Sequence, residues 1–431
     1  MNPLFKANDF TRRQFMERAA KLLFGVNLLP VFDQNIAGAA VDAASKITPN
    51  GKRAKNVIYL YMAGGMSQMD TFDPKPKSDN QGPVDSIGTE VDGLFVSQYL
   101  PLMAMQMQDV AVIRSLTSTQ GAHQQGRYFM HTSYAPRGTI KHPGLGSWIL
   151  ALQGRDNVNL PGAIRVGGND GGPGFLGTEF APVPIGDPNK GLQNIKPYGK
   201  VSTEDIEDRI FLSELLDVEF HKEYPVEKVQ SYETVYREAI SLMSSSDMDA
   251  FNIGSEPESL RRKYGASRFA RGCLLSRRLI ENGVRFAEVI LGGWDTHNNN
   301  FENVEAKAME LDQALSALLQ DLRERQLLDD TLVVVSTEFG RTPKINANNG
   351  RDHFPKAFTC LLAGAGIKGG TIYGSTNSDG TEVESNPITI PDFNATIAQA
   401  VGLPIHDEIR APNGRPFTIA NDGKPVTDLF I

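Results

Sequence analysis

Short runs of β-branched and apolar residues recur along the chain and predict the strands of a buried sheet. Several of these runs are continuous rather than alternating, which is typical of strands that are covered on both faces. The strands are predicted at Asn56–Met62, Val110–Arg114, Val284–Leu291, Thr331–Ser336 and Phe358–Leu362.

Helical periodicity appears between these runs. Residues Val304–Leu328 place apolar side chains at steps of three and four, which forms one apolar helix face. The segment Ser259–Asn282 is basic and amphipathic, its charges predict a solvated face, and Gly283 is suited to end it. A shorter helix is predicted at Asp392–Val401. The order of strands and helices predicts an α/β fold, with a mainly parallel central sheet sandwiched by helices.

The organisation of the rest of the chain is less regular. We expect residues 41–431 to form a single domain, which the length of 431 residues allows. The stretch around 154–200 is rich in Gly, Pro and Asn and has no clear period. It is interpreted either as a lid over a site or as irregular surface covering. Residues 244–249, SSSDMD, predict a loop.

The first forty residues resemble a twin-arginine export signal. Arg12 and Arg13 precede a weakly apolar run at Ala19–Phe32, and Ala37-Gly38-Ala39 has the form of a cleavage site. The alternative is a cytosolic helix with a chance arginine pair. We expect residues 1–40 to engage the export machinery, and the protein to be periplasmic or extracellular. The apolar run is too short and too polar for a stable membrane span.

Composition narrows the classes of function. The net charge is −8 and no basic stripe dominates, so nucleic acid is not an expected partner. Cys273 and Cys360 lie in apolar runs and are interpreted as core residues, and two cysteines exclude a disulfide framework. No G-x-G-x-x-G motif opens a strand–helix unit, which speaks against a dinucleotide-dependent oxidoreductase.

Polar motifs directly follow three of the predicted strands. They read AGGMSQMD at 63–70, GGWDTH at 292–297 and TEFGRT at 337–342. Because the carboxyl ends of parallel strands meet at one edge of a sheet, these motifs are expected to form one rim. Two further motifs, GAHQQGRYFMHTS at 121–133 and GRDHFP at 350–355, add histidines. Carboxylates and imidazoles that converge from separate strand ends indicate a divalent-metal site.

Each residue also has a structural interpretation. A single histidine is more often a hydrogen-bonded structural residue than a metal ligand. Arg341 and Arg351 either pair with Glu338 and Asp352 or clamp an oxyanion in two-point contact. Ser67 is either a turn serine or an exposed hydroxyl at a strand end.

Taken together, these motifs resemble the DUF1501 family of exported bacterial proteins, whose function is unassigned. The resemblance runs from about Lys55 to Gly402 and rests on GGMSQMDTFDPKP, HPGLGSW, RRLIENGVRF, GGWDTH, LLDDTLVVVSTEFGRTPKIN and GRDHFP. That family is similar to the alkaline phosphatase superfamily, which includes sulfatases and phosphatases. The resemblance therefore implies an alkaline-phosphatase-like fold and a metal-dependent hydrolase of phosphate or sulfate esters.

The resemblance also implies metal ligands. Asp295, His297 and His353 match the ligands of one metal in the superfamily pattern. Glu338 matches the acid of a second metal, but Phe339 stands where a histidine is usual. The first strand ends in glycine instead of the usual aspartate, and Asp70 is one of the nearest acids. The expectation is one tightly bound divalent ion and at most one weak one, with zinc or manganese favoured by the nitrogen ligands.

The remaining implied roles belong to catalysis. Ser67 is the expected nucleophile, and Arg341 is the expected oxyanion clamp. His123 or His131 is the expected leaving-group acid. The departures from the superfamily pattern motivate a competing hypothesis, in which the chain is a non-catalytic binding or assembly protein with a degenerate metal site. The substrate is expected to be a small ester or another small anion.

Overall fold

The centre of the protein is a mixed sheet of nine strands, seen in a computed structural model that describes residues 53–168, 171–192, 212 and 245–431. The strands along the described chain are β1 (Asn56–Ala63), β2 (Ser86–Gly88), β3 (Phe95–Ser97), β4 (Val110–Thr117), β5 (Ala163–Val166), β6 (Val183–Ile185), β7 (Phe286–Gly292), β8 (Thr331–Ser336), β9 (Gly340–Arg341), β10 (His353–Phe354), β11 (Phe358–Ala363), β12 (Thr371–Tyr373), β13 (Ser375–Thr376), β14 (Val383–Ser385), β15 (Ile388–Thr389), β16 (Ile409–Arg410) and β17 (Pro416–Phe417). The α-helices are α1 (Pro101–Ala104), α2 (His123–Thr132), α3 (Leu145–Gln153), α4 (Glu258–Tyr264), α5 (Arg268–Glu281), α6 (Asn300–Glu324) and α7 (Ile390–Val401).

The strand order of the central sheet is β12-β4-β11-β8-β1-β7-β5-β6, and β15 pairs beside β4. Every pair is parallel except the two that β11 makes with β4 and β8. The prediction of a mainly parallel sheet is therefore confirmed. Because β11 alone runs in the opposite direction, it begins at the edge of the sheet where β1, β4, β7 and β8 end.

The core lies in two layers, one on each face of the sheet. In β1, Ile58, Leu60 and Met62 pack into the layer that contains α5 and α6. The alternate residues of the same strand, including Tyr59 and Tyr61, pack into the layer that contains α3 and α7. Successive side chains of a strand point to opposite faces, so an all-apolar strand needs helices on both sides. The predicted sandwich of helices is confirmed.

The two cysteines lie in these two different layers. Cys273 belongs to the layer with α5 and α6, and Cys360 to the layer with α3 and α7. Both are buried and free, as predicted, and burial raises the pKa of both thiols.

The basic segment forms two helices instead of the single one that was predicted. Gly265 ends α4 with a φ of +112°, and the Ser267 side chain caps α5 by accepting from the backbone N–H of Ala270. The interpretation of its charges as a solvated face is wrong for Arg277, which is fully buried. Its guanidinium lies 2.7 Å from a Glu256 carboxylate oxygen and 2.8 Å from one of Asp321. The paired carboxylates allow this charge to be buried.

The glycine-rich stretch contributes to the sheet itself. Its described part supplies β5 and β6, which extend the sheet beyond β7. The loop predicted at 244–249 is wrong in part, because Ser246–Phe251 forms a 3₁₀ helix. The export signal predicted at residues 1–40 lies outside the described residues. Within the part of the chain that the structure describes, no helix is long and apolar enough to cross a membrane.

Candidate metal centre

One edge of the sheet collects the polar motifs, as the sequence predicts. Asp295 and His297 follow the end of β7, and Glu338 follows the end of β8. His123 is the first residue of α2, which comes after β4. His353 precedes β11, and it reaches the same edge because that strand is antiparallel to its neighbours. Because β11 runs antiparallel to its neighbours, the GRDHFP motif that precedes it lies at the same edge as the motifs that follow the parallel strands.

Glycines allow these loops to approach one another closely. Gly64 has a φ of +119°, and a Cβ atom there would lie 2.5 Å from the backbone nitrogen of Asp295. At Gly350, a Cβ atom would overlap the carbonyl oxygen of His297. Side chains at either position would push the loops that carry Asp295 and His297 away from their neighbours.

Each of three imidazoles is held through its Nδ1 atom. The Nδ1 of His123 lies 2.8 Å from a Glu338 carboxylate oxygen, and that of His297 lies 2.7 Å from Asp352. The Nδ1 of His353 lies 2.8 Å from the carbonyl oxygen of Gly121. All three partners are acceptors, so each Nδ1 carries the proton, and Nε2 presents a lone pair when the ring is neutral. The hydrogen bond to Glu338 raises the pKa of His123.

The three Nε2 atoms converge on one carboxylate. Asp295 Oδ1 lies 3.2 Å from the Nε2 of His123, 3.2 Å from that of His297 and 3.5 Å from that of His353. The Nε2 atoms of His297 and His353 are 3.0 Å apart. Ligand atoms of His123, Asp295 and His353 all lie within 4.8 Å of one another. These four residues form the candidate metal centre.

The geometry and chemistry of these atoms fit a divalent ion. In a tetrahedral zinc site with bonds of about 2.0–2.1 Å, ligand atoms are about 3.3 Å apart. The four separations given above, 3.0–3.5 Å, are close to this value, whereas His297 lies outside the group of ligand atoms that are all within 4.8 Å of one another. The buried Nε2 of His123 makes no well-aligned hydrogen bond among the described residues, although it lies 3.2 Å from Asp295 Oδ1. Two unprotonated nitrogens facing each other at 3.0 Å repel unless a cation or a proton lies between them. The anchored Nδ1 atoms are typical of histidines that bind metals.

The electrostatics of the centre keep its carboxylates ionised. Burial alone would raise the pKa of Asp295, but the hydrogen bond from Arg341 and the neighbouring His123 lower it to about 2. Burial would likewise raise the pKa of Glu338, yet hydrogen bonds from His123 and Tyr61 lower it overall. Burial lowers the pKa of His353, which favours its neutral form. An ionised carboxylate and a neutral imidazole are the forms that bind metal.

Glu338 is placed behind a ligand rather than in the ligand set. It is fully buried, and it accepts hydrogen bonds from Tyr61 Oη at 2.8 Å, from the backbone N–H of Gly64 at 2.9 Å and from His123. Its geometry therefore supports a role in orienting His123. The sequence-based assignment of Glu338 to a second metal finds no support in these contacts.

Asp70 and Ser67 lie in a separate buried network. Asp70 accepts from Arg351 Nε at 2.8 Å and from Asn300 Nδ2 at 2.9 Å, and the Ser67 hydroxyl donates to it at 2.5 Å. Ser67 is only 1% exposed. The engagement of Asp70 by Arg351 does not support its expected role as a metal ligand, and the burial of Ser67 does not support its expected role as nucleophile.

The guanidinium of Arg341 also makes its hydrogen bonds to other groups of the protein. It is fully buried, donates to Asp295 Oδ1 at 2.6 Å, and donates to the backbone carbonyl oxygens of Gly64, Gly65 and Arg351. The geometry thus supports a role in holding the loops together and does not support the expected role as an oxyanion clamp. The sequence-based pairing of Arg341 with Glu338, and of Arg351 with Asp352, is wrong, because their carboxylate partners are Asp295 and Asp70.

His131 lies elsewhere on α2. It follows His123 by eight residues, which corresponds to about 12 Å along a helix. Its Nε2 lies 2.6 Å from a Glu288 carboxylate oxygen, and Arg165 Nε lies 2.7 Å from the other oxygen. This buried ion pair network does not support His131 as a leaving-group acid.

Two contacts of the centre differ from the roles that the sequence suggested first. His123 offers its Nε2 to the cluster as a ligand, although the resemblance implied an acid. Asp352 anchors His297, and the hydrogen bond from His297 lowers the pKa of this carboxyl. The only available signal was the position of Asp352 next to His353 in GRDHFP.

Comparison with protein families gives a match that spans most of the chain. Residues 54–430 match the model of a family described as "Protein of unknown function (DUF1501)". No curated protein matches the chain.

Several solved structures are similar at low identity. A sulfatase from Pseudoalteromonas sp. is 13% identical with a TM-score of 0.41, over 93% of this chain and 77% of that one. A protein in the alkaline phosphatase superfamily from Vibrio parahaemolyticus is 12% identical with a TM-score of 0.37, over 95% and 80%. A phosphonate monoester hydrolase from Silicibacter pomeroyi is 10% identical with a TM-score of 0.35, over 87% and 76%. Likeness of this degree carries no inference about activity.

Proposed function

The chain belongs to the DUF1501 family, and we propose that it is an exported, metal-dependent hydrolase of phosphate or sulfate esters. The observation that carries the proposal is the convergence of three Nε2 lone pairs on Asp295, each ring being fixed by an acceptor at Nδ1. Such a set of pre-oriented donors is typical of sites that bind a divalent ion.

His123, His297, His353 and Asp295 would hold the ion. A set of three nitrogens and one oxygen favours zinc, and manganese is the second choice. When bound, the ion supplies Lewis-acid polarisation of an ester oxygen and lowers the pKa of a nearby water. One tight ion per chain is expected, because Glu338 and Asp70 are both engaged with other side chains.

The protein itself contributes orientation and access. Arg341 holds Asp295 in place, while Glu338 and Asp352 fix the rings of His123 and His297. Side chains of the centre remain open to solvent: Asp295 is 48% exposed and His297 is 39% exposed. A small ester or water can therefore reach the centre, where it would bind as a fifth ligand beside the four side chains.

A non-catalytic binding function is the second candidate, and a specific observation favours it. The two residues expected to attack and clamp a substrate, Ser67 and Arg341, are both buried and hydrogen-bonded within the protein. A metal centre without a side-chain nucleophile either activates water or serves only to bind.

The deciding experiment is an activity screen on zinc-loaded and manganese-loaded protein with aryl phosphates and aryl sulfates. Wild type should turn over at least one ester, and His353→Ala should not. His131→Ala, which removes a histidine outside the centre, is the matched control for the loss of an imidazole. Retained metal without turnover in wild type would favour the binding protein.

Export is a separate part of the proposal. It is supported by Arg12-Arg13 and the alanine-rich segment at 37–39. The double variant Arg12→Lys, Arg13→Lys should leave precursor inside the cell, and fractionation with immunoblotting measures this. Equal accumulation of wild type and variant in the periplasm would overturn the export proposal.

A further inference from the structure

One divalent ion would balance the charges around the candidate metal centre. Glu338 accepts from a ring N–H, a backbone N–H and a tyrosine hydroxyl, which an ionised carboxylate does best. Asp352 accepts from His297 Nδ1 and from Asn346 Nδ2, and Asp295 accepts from Arg341. Three carboxylates and one guanidinium leave two net negative charges, which a divalent ion would cancel.

From this balance we infer that the site takes singly charged anionic esters, namely sulfate monoesters or phosphodiesters, in preference to doubly charged phosphate monoesters. The inference rests on the proposed metal centre and narrows its substrate class. An anion with one charge leaves the occupied site with a single excess negative charge, whereas a dianion leaves two. Like charges at short range raise the energy of the complex.

The guanidinium in the centre cannot offset the second charge of a dianion. Arg341 is fully buried, and its donors are committed to Asp295 and to three backbone carbonyls. Among the described residues, the contacts of the four ligand side chains include no other lysine or arginine. The amino end of α2 adds a partial positive charge of about half a unit, which is too little to cancel the second charge of a dianion.

Asp352 offers a way to test the charge balance. Its side chain is 55% exposed, and it lies next to His297 on the open side of the centre. An asparagine there keeps an oxygen that can accept the His297 Nδ1 proton, and it removes one negative charge. Asp329→Asn makes the same change of net charge just before β8, at the opposite edge of the sheet.

The experiment measures anion binding by calorimetry to zinc-loaded protein at about pH 8, with two probes of similar shape. Benzenesulfonate carries one negative charge, and phenylphosphonate carries two. Wild type should bind benzenesulfonate more tightly. Asp352→Asn should improve phenylphosphonate binding about tenfold more than benzenesulfonate binding, and Asp329→Asn should not change the ratio.

Tighter binding of phenylphosphonate to wild type would overturn the inference. So would an unchanged ratio in Asp352→Asn, or failure of both probes to bind the zinc-loaded protein. The probes are not hydrolysed, so the preference for charge is measured independently of turnover. Absence of activity in the ester screen, with the binding preference intact, would refute only the proposed hydrolase.

Discussion

Removal of His353 tests the metal centre most directly. Structural zinc sites with four ligands bind with about 10–16 kcal/mol, so one ligand contributes roughly 3 kcal/mol on average. His353→Ala should therefore weaken zinc binding about 100-fold or more. The ring also lies 3.0 Å from His297 Nε2 and 3.5 Å from Asp295 Oδ1, so its loss opens the centre to water.

The assay is competition between the protein and a chromophoric chelator, followed by elemental analysis after dialysis. Wild type should retain one zinc ion per chain. Glu338→Gln keeps an acceptor for His123 Nδ1, and it should retain the ion with about 10- to 100-fold lower affinity, as is usual for a residue behind a ligand. His131→Ala should bind as wild type does.

Unweakened binding by His353→Ala would refute the ligand set. Two tightly retained ions in wild type would show that Glu338 or Asp70 binds metal after all. No retained ion would remove the basis of the proposed hydrolase.

Three further predictions concern residues around the centre and in the core. Ser67→Ala should leave zinc binding and any ester turnover within about threefold, because Asp70 keeps Arg351 and Asn300 as partners; a large loss of turnover at full zinc occupancy would restore Ser67 as nucleophile. Arg277→Met should cost about 3–5 kcal/mol of unfolding free energy in a urea titration because it leaves buried carboxylates unpaired, whereas Arg323→Ala, which breaks an exposed pair, should cost about 1 kcal/mol or less. Burial lowers the pKa of His142 to about 4, below its value of about 6.5 in an unfolded chain. Between these two pH values the unfolded state binds more protons, so the free energy of unfolding decreases as the pH is lowered. The loss between pH 7 and pH 5 should be about 2 kcal/mol, and His142→Phe should lose that much less over the same interval; parallel pH profiles would contradict the assignment.

The sheet was largely predictable because buried parallel strands are the most strongly apolar parts of the chain. The five predicted strands all exist, with ends shifted by a few residues. β5 and β6 were not predicted, since four-residue and three-residue strands in a glycine-rich stretch leave no period to detect. The split of the basic helix at Gly265 depends on one backbone angle, which helical periodicity does not reveal.

The edge of the sheet that bears the candidate site was also predictable, but the role of each residue was not. Strand ends brought Asp295, His297 and Glu338 to one rim, as their positions imply. Whether Glu338 meets a metal or a histidine depends on distances of a few ångströms, set by the close approach of α2 to the residues that follow β8. Ser67 follows the same rule of strand ends, yet the loop that carries it turns it inward toward Asp70.

The pairing of β9 with β10 has a consequence for the length of the loop between them. The register places His353 opposite Arg341, and Phe354 opposite Gly340. Successive side chains of a strand face opposite ways, so one residue inserted or deleted in the loop 342–352 would turn His353 away and present a neighbour instead. An insertion of that kind would change no functional residue, and yet it would remove an imidazole from the centre. The number of residues in this loop is thus itself a determinant of the site, and single-residue length changes should be tolerated less there than in exposed loops at the opposite edge of the sheet.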